Sequence, residues 1–402
     1  MKLWKKICLG LLGVVVLLQI PFIYNRWQTG NLAEKISSLK PRKTKTINSE
    51  YVEYKGVIHV HSFLGGHSSG TFDEILDGAE KNQLNFVIMT EHASDFYDTS
   101  MMTLHGFHRK ILFVGGNETR TSDGNSHLIL DGFSELTRYN RMNTREFLRE
   151  VHARHRLSFV TYPDKFKSWD TDFDGMEIFS LHTNAKNMNP VSFFFNSIWS
   201  YNAYPELTLA GYLERPDENL KKFDELTKTR KITLFAGSDA HSNLGFHIFG
   251  DDANNKIINF KFDNYETIFR LARTHILLPK SEIFNRENLL KALKNGNIFI
   301  GFDVLSDTGG FSFTAENGIE TKIMGDEILL ENGGINLKSN APQVAKFLLF
   351  KNGEKVFESN ETTEINFKVK EKGTYRVEVY LDSLGSPFDK MPWIISNPIY
   401  VK

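Results

Sequence analysis

A repeating order of strands and helices constrains this 402-residue chain more than any other feature. From Tyr51 to about residue 310, short apolar segments alternate with amphipathic helical stretches. The apolar segments are GVIHVH, LNFVIMTEH, ILFVGGNE, SFVTYP, GMEIFS and ITLFAGSDAH, and the helical stretches include TFDEILDGAEKN, NTREFLREVHARH and DENLKKFDELTK. This βαβα order is typical of a parallel sheet or barrel with helices outside. It predicts an α/β fold for residues 51–310.

The pattern changes after Gly310. The segment FLLFKNGEKVF predicts a hairpin through Asn352 and Gly353, because an Asn-Gly pair favours the tight turn of two antiparallel strands. The segment GTYRVEVYL alternates apolar and polar residues, as a half-buried strand does. We therefore expect residues 311–402 to form a separate antiparallel, β-sandwich-like domain.

The N-terminus carries an apolar run over residues 7–24, preceded by three lysines, Lys2, Lys5 and Lys6. The run is near the length of about 20 residues that crosses a bilayer, and no small-residue cleavage site follows it. We expect residues 1–27 to form an uncleaved signal anchor, a single transmembrane helix. The lysines favour an N-terminus inside the cell and the body of the protein on the periplasmic or extracellular side.

Residues 28–50 are polar, contain KPRKTKT and show no apolar period, so they predict a tether between membrane and domain. The chain as a whole has 48 Lys+Arg and 49 Asp+Glu, a net charge of −1, and this balance gives no reason to expect nucleic-acid binding. The single cysteine, Cys8, excludes a disulfide framework and a cysteine-built zinc finger.

Histidines and carboxylates gather where the predicted strands end. His59 and His61 lie two apart in GVIHVHS, and the two-residue period of a strand places both side chains on one face. Other such residues are His67, His92, Glu118, Glu177, His182, Asp239 and His241. In a parallel barrel the carboxyl ends of the strands share one face.

Nitrogen and oxygen ligands without thiolate suit Zn²⁺, Mn²⁺ or Fe²⁺, and so many ligands indicate two or three divalent metal ions. Paired metal ions are a common device for hydrolysing phosphate esters. The sequence contains no nucleophile-elbow motif and no phosphate-binding glycine loop of the GxxxxGK type, so water is the expected nucleophile.

The motifs HVHS, TEH, GNE and GSDAH, in that order, resemble the polymerase-and-histidinol-phosphatase (PHP) family of metal-dependent phosphoesterases. The resemblance covers about residues 55–245, and the β-rich ending is similar to a membrane-anchored or exported subgroup of that family. It implies a distorted (β/α)7 barrel over residues 51–310 that holds up to three metals.

The resemblance also implies the metal ligands. A first metal would bind His59, His61, Glu118 and Asp239. A second would bind His67, His92 and His241. A middle metal would bind the bridging Glu118 and two later residues, of which His182 can match one.

Two positions depart from the family pattern. Tyr162, in SFVTYP, stands where the family has a ligand histidine. Three interpretations follow: Tyr162 ligates a ferric ion, the protein holds two metals, or activity is lost. Glu91 replaces the usual aspartate before His92, and we expect it to orient that imidazole.

For catalysis we expect Asp239 and His241 to act together with two cations. Arg120, just past Glu118, and Lys165, just past Tyr162, would meet the substrate phosphate. The sequence thus predicts a membrane-anchored, metal-dependent phosphoesterase that acts on a phosphate-containing small molecule or a cell-envelope substrate.

Two alternatives stay open. The metals can serve hydrolysis of an amide or another ester, since similar barrel sites cut several bond types. The chain can also be a non-catalytic or weakened binding or sensor module.

Two further features have open roles. The stretch VSFFFNSIWSY is more typical of an aromatic helix that packs on the barrel than of a membrane-facing or substrate-lining patch. His127 is equally consistent with substrate contact and with a structural role.

Overall fold

The N-terminal segment folds into one long helix. The computed structural model describes residues 3–39, 50–132, 138–181, 188–243, 245–250 and 256–402. Helix α1, Leu3–Ser38, is the one helix among these residues that is long and apolar enough to cross a membrane, a property that a signal sequence shares. The predicted apolar helix is thereby confirmed.

The same helix corrects the expected tether. It does not end at residue 27 but continues to Ser38, so residues 28–38 are helical. The reason is an apolar face that the polar composition obscures: Leu32, Ile36 and Leu39 pack against the hydrophobic core. The remaining expected tether residues, 40–49, lie outside the described residues.

The first ten strands belong to a large mixed sheet. They are β1 Tyr51–Val60, β2 Phe86–Met89, β3 Glu91–His92, β4 Gly106–His108, β5 Ile111–Val114, β6 Asn117–Arg120, β7 Ser126–Leu130, β8 Leu157–Val160, β9 Gly175–Ser180 and β10 Thr233–Ala240. β1 is parallel to β2 and β10, β9 is parallel to β8 and β10, β2 is parallel to β5, and β3 is parallel to β6. β7 lies between β6 and β8, antiparallel to both.

These pairings form a closed circuit. β2 and β3 are successive pieces of one strand, as are β5 and β6, so the hydrogen bonds pass from β1 through six further strands and return to it, a circuit of seven strand segments. The α/β class is confirmed, but the circuit is not wholly parallel. β7 reverses direction because only residues 121–125 separate it from β6, and such a short connection permits a hairpin but no crossover.

Eight further helices are described: α2 Phe72–Lys81, α3 Thr99–Met102, α4 Thr144–Ala153, α5 Pro190–Asn196, α6 Pro205–Ala210, α7 Asp217–Thr227, α8 Tyr265–Leu271 and α9 Arg286–Asn295. α5 continues directly into a π-helical turn, Ser197–Tyr201. At the start of α2, the Thr71 hydroxyl accepts from the backbone N–H of Glu74, and the Glu74 carboxylate accepts from that of Thr71. This capping box fixes where α2 begins, directly after the loop that carries His67.

The C-terminal part is rich in antiparallel pairs. Its strands are β11 Gly245–Gly250, β12 Lys256–Lys261, β13 Arg273–Pro279, β14 Ile298–Gly301, β15 Ser312–Glu316, β16 Thr321–Ile323, β17 Glu327–Ile328, β18 Ile335–Lys351, β19 Glu354–Glu358, β20 Thr362–Val369, β21 Gly373–Tyr380, β22 Ile394–Ser396 and β23 Ile399–Val401. The first half of β18 pairs with β15 and β20, and its second half pairs with β19 and β21. The long strand β18 therefore joins two sets of antiparallel strands.

The predicted hairpin is confirmed. Lys351 pairs with Glu354, and Asn352 and Gly353 adopt φ angles of 51° and 90°. The expected boundary at residue 310, however, is bridged by hydrogen bonds. β13 pairs with the first half of β1 and with β14, and β14 pairs with β22. The sheet is thus continuous from the strand that carries His59 to the C-terminal strands.

Candidate metal centre

Unusual backbone conformations mark the residues at the strand ends. His59, Tyr162 and Asp239 have φ angles of 71°, 50° and 47°, in the left-handed region that side-chain-bearing residues rarely adopt. At His59 the register of β1 shifts against both neighbouring strands. Such strain persists where surrounding structure enforces it and concentrates at functional sites.

Four side chains meet at this end of the circuit. His59 Nε2 lies 3.3 Å from Glu118 Oε2 and 3.4 Å from Asp239 Oδ1. His61 Nε2 lies 3.3 Å and 3.5 Å from the same two oxygens. One nitrogen or oxygen from each of the four residues lies within 4.8 Å of all the others, and all four residues are buried. This group can hold a metal ion.

The spacing fits a small divalent cation. Ligand atoms about 2.0–2.1 Å from a tetrahedral zinc lie about 3.3–3.4 Å from one another, and the four nitrogen–oxygen distances are 3.3–3.5 Å. In addition, both ring nitrogens of His61 and Oδ1 of Asp239 are buried without a hydrogen-bond partner. Buried polar atoms without partners are costly, so a cation between them gives a physical reason for the arrangement.

The two carboxylates of the group are ionised, as carboxylates that bind metal ions must be. Burial raises the pKa of Glu118, but His59 outweighs it and the pKa falls to about 2. Burial likewise raises the pKa of Asp239, but the charge on His59 lowers it more, to well below the ordinary value. For His61, burial lowers the pKa to about 3. At neutral pH an uncharged imidazole therefore faces two ionised carboxylates.

A third carboxylate fixes the orientation of His59. Glu177 Oε1 lies 2.7 Å from His59 Nδ1, and Glu177 Oε2 accepts from Thr161 Oγ1 at 2.5 Å. Burial lowers the pKa of His59, but Asp239 and Glu177 raise it more, and the net result is well above the ordinary value. Sequence reasoning noted Glu177 at a strand end without assigning it this role. A lone carboxylate inside the apolar segment GMEIFS was the available signal.

Gly237 makes room for this contact. A Cβ atom at position 237 would lie 1.6 Å from Glu177 Oε1, so only glycine allows the carboxylate to reach His59. The glycine of the GSDAH motif is thereby explained by packing rather than by a turn.

The remaining imidazoles form a layer against the four-residue group. The rings of His92 and His241 stack on His61 at centroid distances of 4.6 and 4.3 Å, and His67 meets His92 at 5.0 Å. Nitrogens of His61, His92 and His241 lie close enough to form a second candidate metal group. The structure thus brings together seven of the eight predicted metal-binding residues. The eighth, His182, lies outside the described residues.

Tyr162 contacts the centre as a hydrogen-bond donor. Its hydroxyl donates to Asp239 Oδ2 at 3.1 Å, and burial together with the nearby carboxylates raises the pKa of Tyr162 far above its usual value. Through this hydrogen bond the Tyr162 phenol orients Asp239.

Glu91 has a different role from the one expected. It does not orient His92 but accepts hydrogen bonds from Ser62, through the backbone N–H at 2.9 Å and Oγ at 2.5 Å, and from Thr103 Oγ1 at 2.9 Å. The buried carboxylate therefore holds the loop after His61 against the segment before β4. Its longer side chain reaches this loop.

The two expected phosphate-binding cations lie at the periphery. Both Arg120 and Lys165 are exposed. Arg120 donates from Nε to the carbonyl of Gly124 at 3.3 Å, while Lys165 Nζ lies 5.8 Å from the centroid of the Tyr162 ring. Neither lines the cavity described below. His127 is fully buried against Phe147, and its Nδ1 lies 3.0 Å from Ser158 Oγ, a position that favours the structural role over substrate contact.

A cavity of about 450 Å³ opens beside the centre. Tyr162, Asp239, His67, His92 and His241 line one side of it. The rest of the lining is mostly apolar and includes Leu181, Phe193, Leu209, Leu213, Phe262 and Leu271, with Ser238, Asn243 and Asp263 among its polar members. No lysine or arginine is among the described residues that line it.

Comparison with known proteins gives little. No protein-family model matches the chain, and no curated protein matches it in sequence. Among solved structures, the chain is similar to the crystal structure of PsfC from Pseudomonas syringae PB-5123, with 14% sequence identity and a TM-score of 0.38 over 63% of this chain and 93% of that chain. This likeness is too distant to assign a fold family or an activity.

Proposed function

We propose that this protein is a metal-dependent phosphoesterase of the PHP type that hydrolyses a phosphate ester with activated water. The observation that carries the proposal is the buried His61, whose ring nitrogens have no hydrogen-bond partner although Glu118 Oε2 and Asp239 Oδ1 lie 3.3 and 3.5 Å from Nε2. A divalent cation held by His59, His61, Glu118 and Asp239 resolves that arrangement.

The fold supports the same assignment. The circuit of seven strand segments with one reversed strand agrees with the distorted seven-stranded barrel that the PHP resemblance implies. The four-residue group is also the set that the resemblance implies for the first metal. The imidazoles of His61, His92 and His241 offer a second position.

A bound divalent cation would supply Lewis-acid chemistry and make water a nucleophile at neutral pH. The chain's own residues do the rest. Glu177 and Tyr162 hold His59 and Asp239 in place, and the layer of imidazoles closes one side of the cavity. His67 is exposed at the cavity wall and is the histidine placed to give a proton to the leaving oxygen.

The proposed location is the membrane, with α1 as a single-pass anchor and the body outside the cytoplasm. The lysines before the apolar run support this orientation. Protease accessibility of the body in intact cells or spheroplasts tests it, since a cytoplasmic body would be protected.

Elemental analysis and turnover of the purified full chain test the activity. We expect stoichiometric transition metal in the wild type, release of phosphate from a panel of phosphate esters, and loss of both in His61→Ala. His108→Ala, at an exposed histidine outside the centre, is the matched control and should retain both. A wild type without metal, or a His61→Ala variant with unchanged turnover, would contradict the proposal.

One observation favours a second candidate, a metal-dependent hydrolase of an amide or another ester. The described lining of the cavity carries no lysine or arginine to meet a phosphate, while Arg120 and Lys165 lie outside it. A panel of carboxylic esters and amides run beside the phosphate esters separates the two. Turnover confined to the non-phosphate panel would favour this second candidate.

A further inference from the structure

The apolar wall of the cavity and the anchor helix share one structural element. Phe193, on α5, lines the cavity and packs on Phe262 and Tyr212 at centroid distances of 5.8 and 5.7 Å. The same segment packs against α1 through Phe195, whose ring lies 5.1 Å from that of Phe22. The aromatic segment, Pro190–Asn196 with Ser197–Tyr201, is therefore a wall between the cavity and the anchor.

Polar contacts fix this wall on α1. Trp199 Nε1 donates to Gln19 Oε1 at 3.0 Å, the Arg26 guanidinium donates to the Trp199 carbonyl at 2.5 Å, and Asn25 Nδ2 donates to Asn196 Oδ1 at 3.1 Å. These contacts set the height of the wall along the anchor.

The three contacts lie across the end of the apolar run at residue 24. Gln19 precedes that end by five residues, which is about 7.5 Å at about 1.5 Å per helical residue, and Asn25 and Arg26 follow it directly. Interfacial helices typically lie about 5–10 Å deep in the headgroup and acyl boundary. If α1 spans a membrane, the aromatic segment lies at this depth.

The outer face of the segment suits such a location. Val191, Phe194 and Ile198, spaced three and four residues apart, are 62%, 39% and 56% exposed. Large apolar side chains grouped on one helical face in this way are typical of membrane or partner contact. The contact with α1 favours the membrane.

We infer that the cavity binds the apolar part of an amphiphilic ester that enters from the membrane, with its polar ester group directed at the metal centre. This rests on the proposed function and names its substrate class. A volume of about 450 Å³ is within the range of about 300–1,000 Å³ usual for small-molecule sites. The lining combines many apolar side chains with residues of the candidate metal centre, which matches a ligand with one apolar and one anionic end.

Binding of two phosphonates to the full chain in lipid nanodiscs tests the cavity, because the carbon–phosphorus bond prevents hydrolysis. We expect decylphosphonate to bind at least about tenfold more tightly than methylphosphonate, after subtraction of binding to empty nanodiscs. Leu213→Trp fills the cavity and should abolish this preference, whereas Ile319→Trp, at a site that is 80% exposed, should keep it. Phe193→Ala is a second variant that should reduce the preference without adding bulk.

Equal affinity for the two phosphonates, binding of neither, or an unchanged preference in both cavity variants would overturn the inference. A chain that prefers decylphosphonate but hydrolyses no phosphate ester would support this inference and contradict the phosphoesterase. Hydrolysis of phosphate esters without a preference for the longer alkyl group would support the phosphoesterase and contradict this inference.

Entry from the membrane has its own measurement. In a Cys8→Ser background, an environment-sensitive fluorophore is attached to Val191→Cys or, as control, to Ile319→Cys in full-length protein reconstituted into vesicles. We expect nitroxide-labelled lipids to quench the fluorophore at position 191 and not at position 319. Equal absence of quenching at both positions would refute delivery from the bilayer.

Discussion

Glu177 is the residue whose removal we expect to weaken metal binding although it is not in the four-residue group. Its Oε1 lies 2.7 Å from His59 Nδ1, and both residues are at most 1% exposed, so no water replaces the lost contact readily. Carboxylates that orient metal-binding histidines typically contribute roughly 10–100-fold to metal affinity. Since tenfold corresponds to about 1.4 kcal/mol, Glu177→Ala should cost about 1.4–2.8 kcal/mol of binding free energy.

Competition between the protein and a chelator of known affinity, with the full chain in detergent micelles, gives the dissociation constant. Glu177→Gln keeps an acceptor for His59 Nδ1 and should lose less affinity than Glu177→Ala. Glu53→Ala is the matched control, because Glu53 Oε1 makes the same kind of contact, 2.6 Å from Nδ1 of the buried His275, away from the centre. The reasoning is refuted if Glu177→Ala binds metal within twofold of the wild type, or if Glu53→Ala loses as much.

Three further outcomes are expected. Arg376 is buried and bonded to Asp224 and Glu378, so Arg376→Met should lower the free energy of unfolding by about 3–5 kcal/mol. The exposed ion pair of Arg145, in contrast, should contribute at most about 1 kcal/mol. Equal losses in urea titrations of Arg376→Met and Arg145→Ala would contradict this. Burial raises the pKa of Glu378, but Arg376 lowers it more, and the folded pKa falls to about 2, below its ordinary 4.5. The contribution of Glu378 to the free energy of unfolding is therefore present above about pH 4.5 and is lost as the pH falls toward 2. A loss of stability confined to higher pH would contradict this. Tyr162→His should raise metal content and phosphate-ester turnover if the site is a weakened enzyme, and no turnover in either form would favour a binding module.

The candidate centre was predictable because its residues stand at strand ends. Chain order alone places the ends of parallel strands on one face, so His92, Glu118 and Asp239 could be grouped without knowledge of any loop. The two-residue period correctly brought His59 and His61 together, but the strand is irregular there. The left-handed conformation of His59 and the register shift beside it aim the two rings at the same carboxylates.

The rest depended on contacts distant in sequence. The reversal of β7 follows from its short connection to β6, residues 121–125, whereas its pairing with β8 is a longer-range contact that apolar patterning alone does not reveal. The helical course of residues 28–38 depends on packing of Leu32 and Ile36 against the core, while their local composition is typical of a linker. Glu91 was assigned to the nearest imidazole in sequence, yet its partners Ser62 and Thr103 lie on other segments.

The two sides of the cavity therefore differ in how they arise. The side with the candidate metal ligands comes from short motifs at strand ends, and each such motif can be recognised in the sequence by itself. The apolar side comes from separate segments, among them α5, α6 and α8, whose neighbours are set by tertiary packing and by the contact of α5 with α1. Under the proposed function, the chemistry is thus encoded in local motifs, whereas selectivity for a substrate depends on how the helices and α1 meet. Substitutions at Phe193 or Leu213 should accordingly change which ester binds while the four-residue group stays intact.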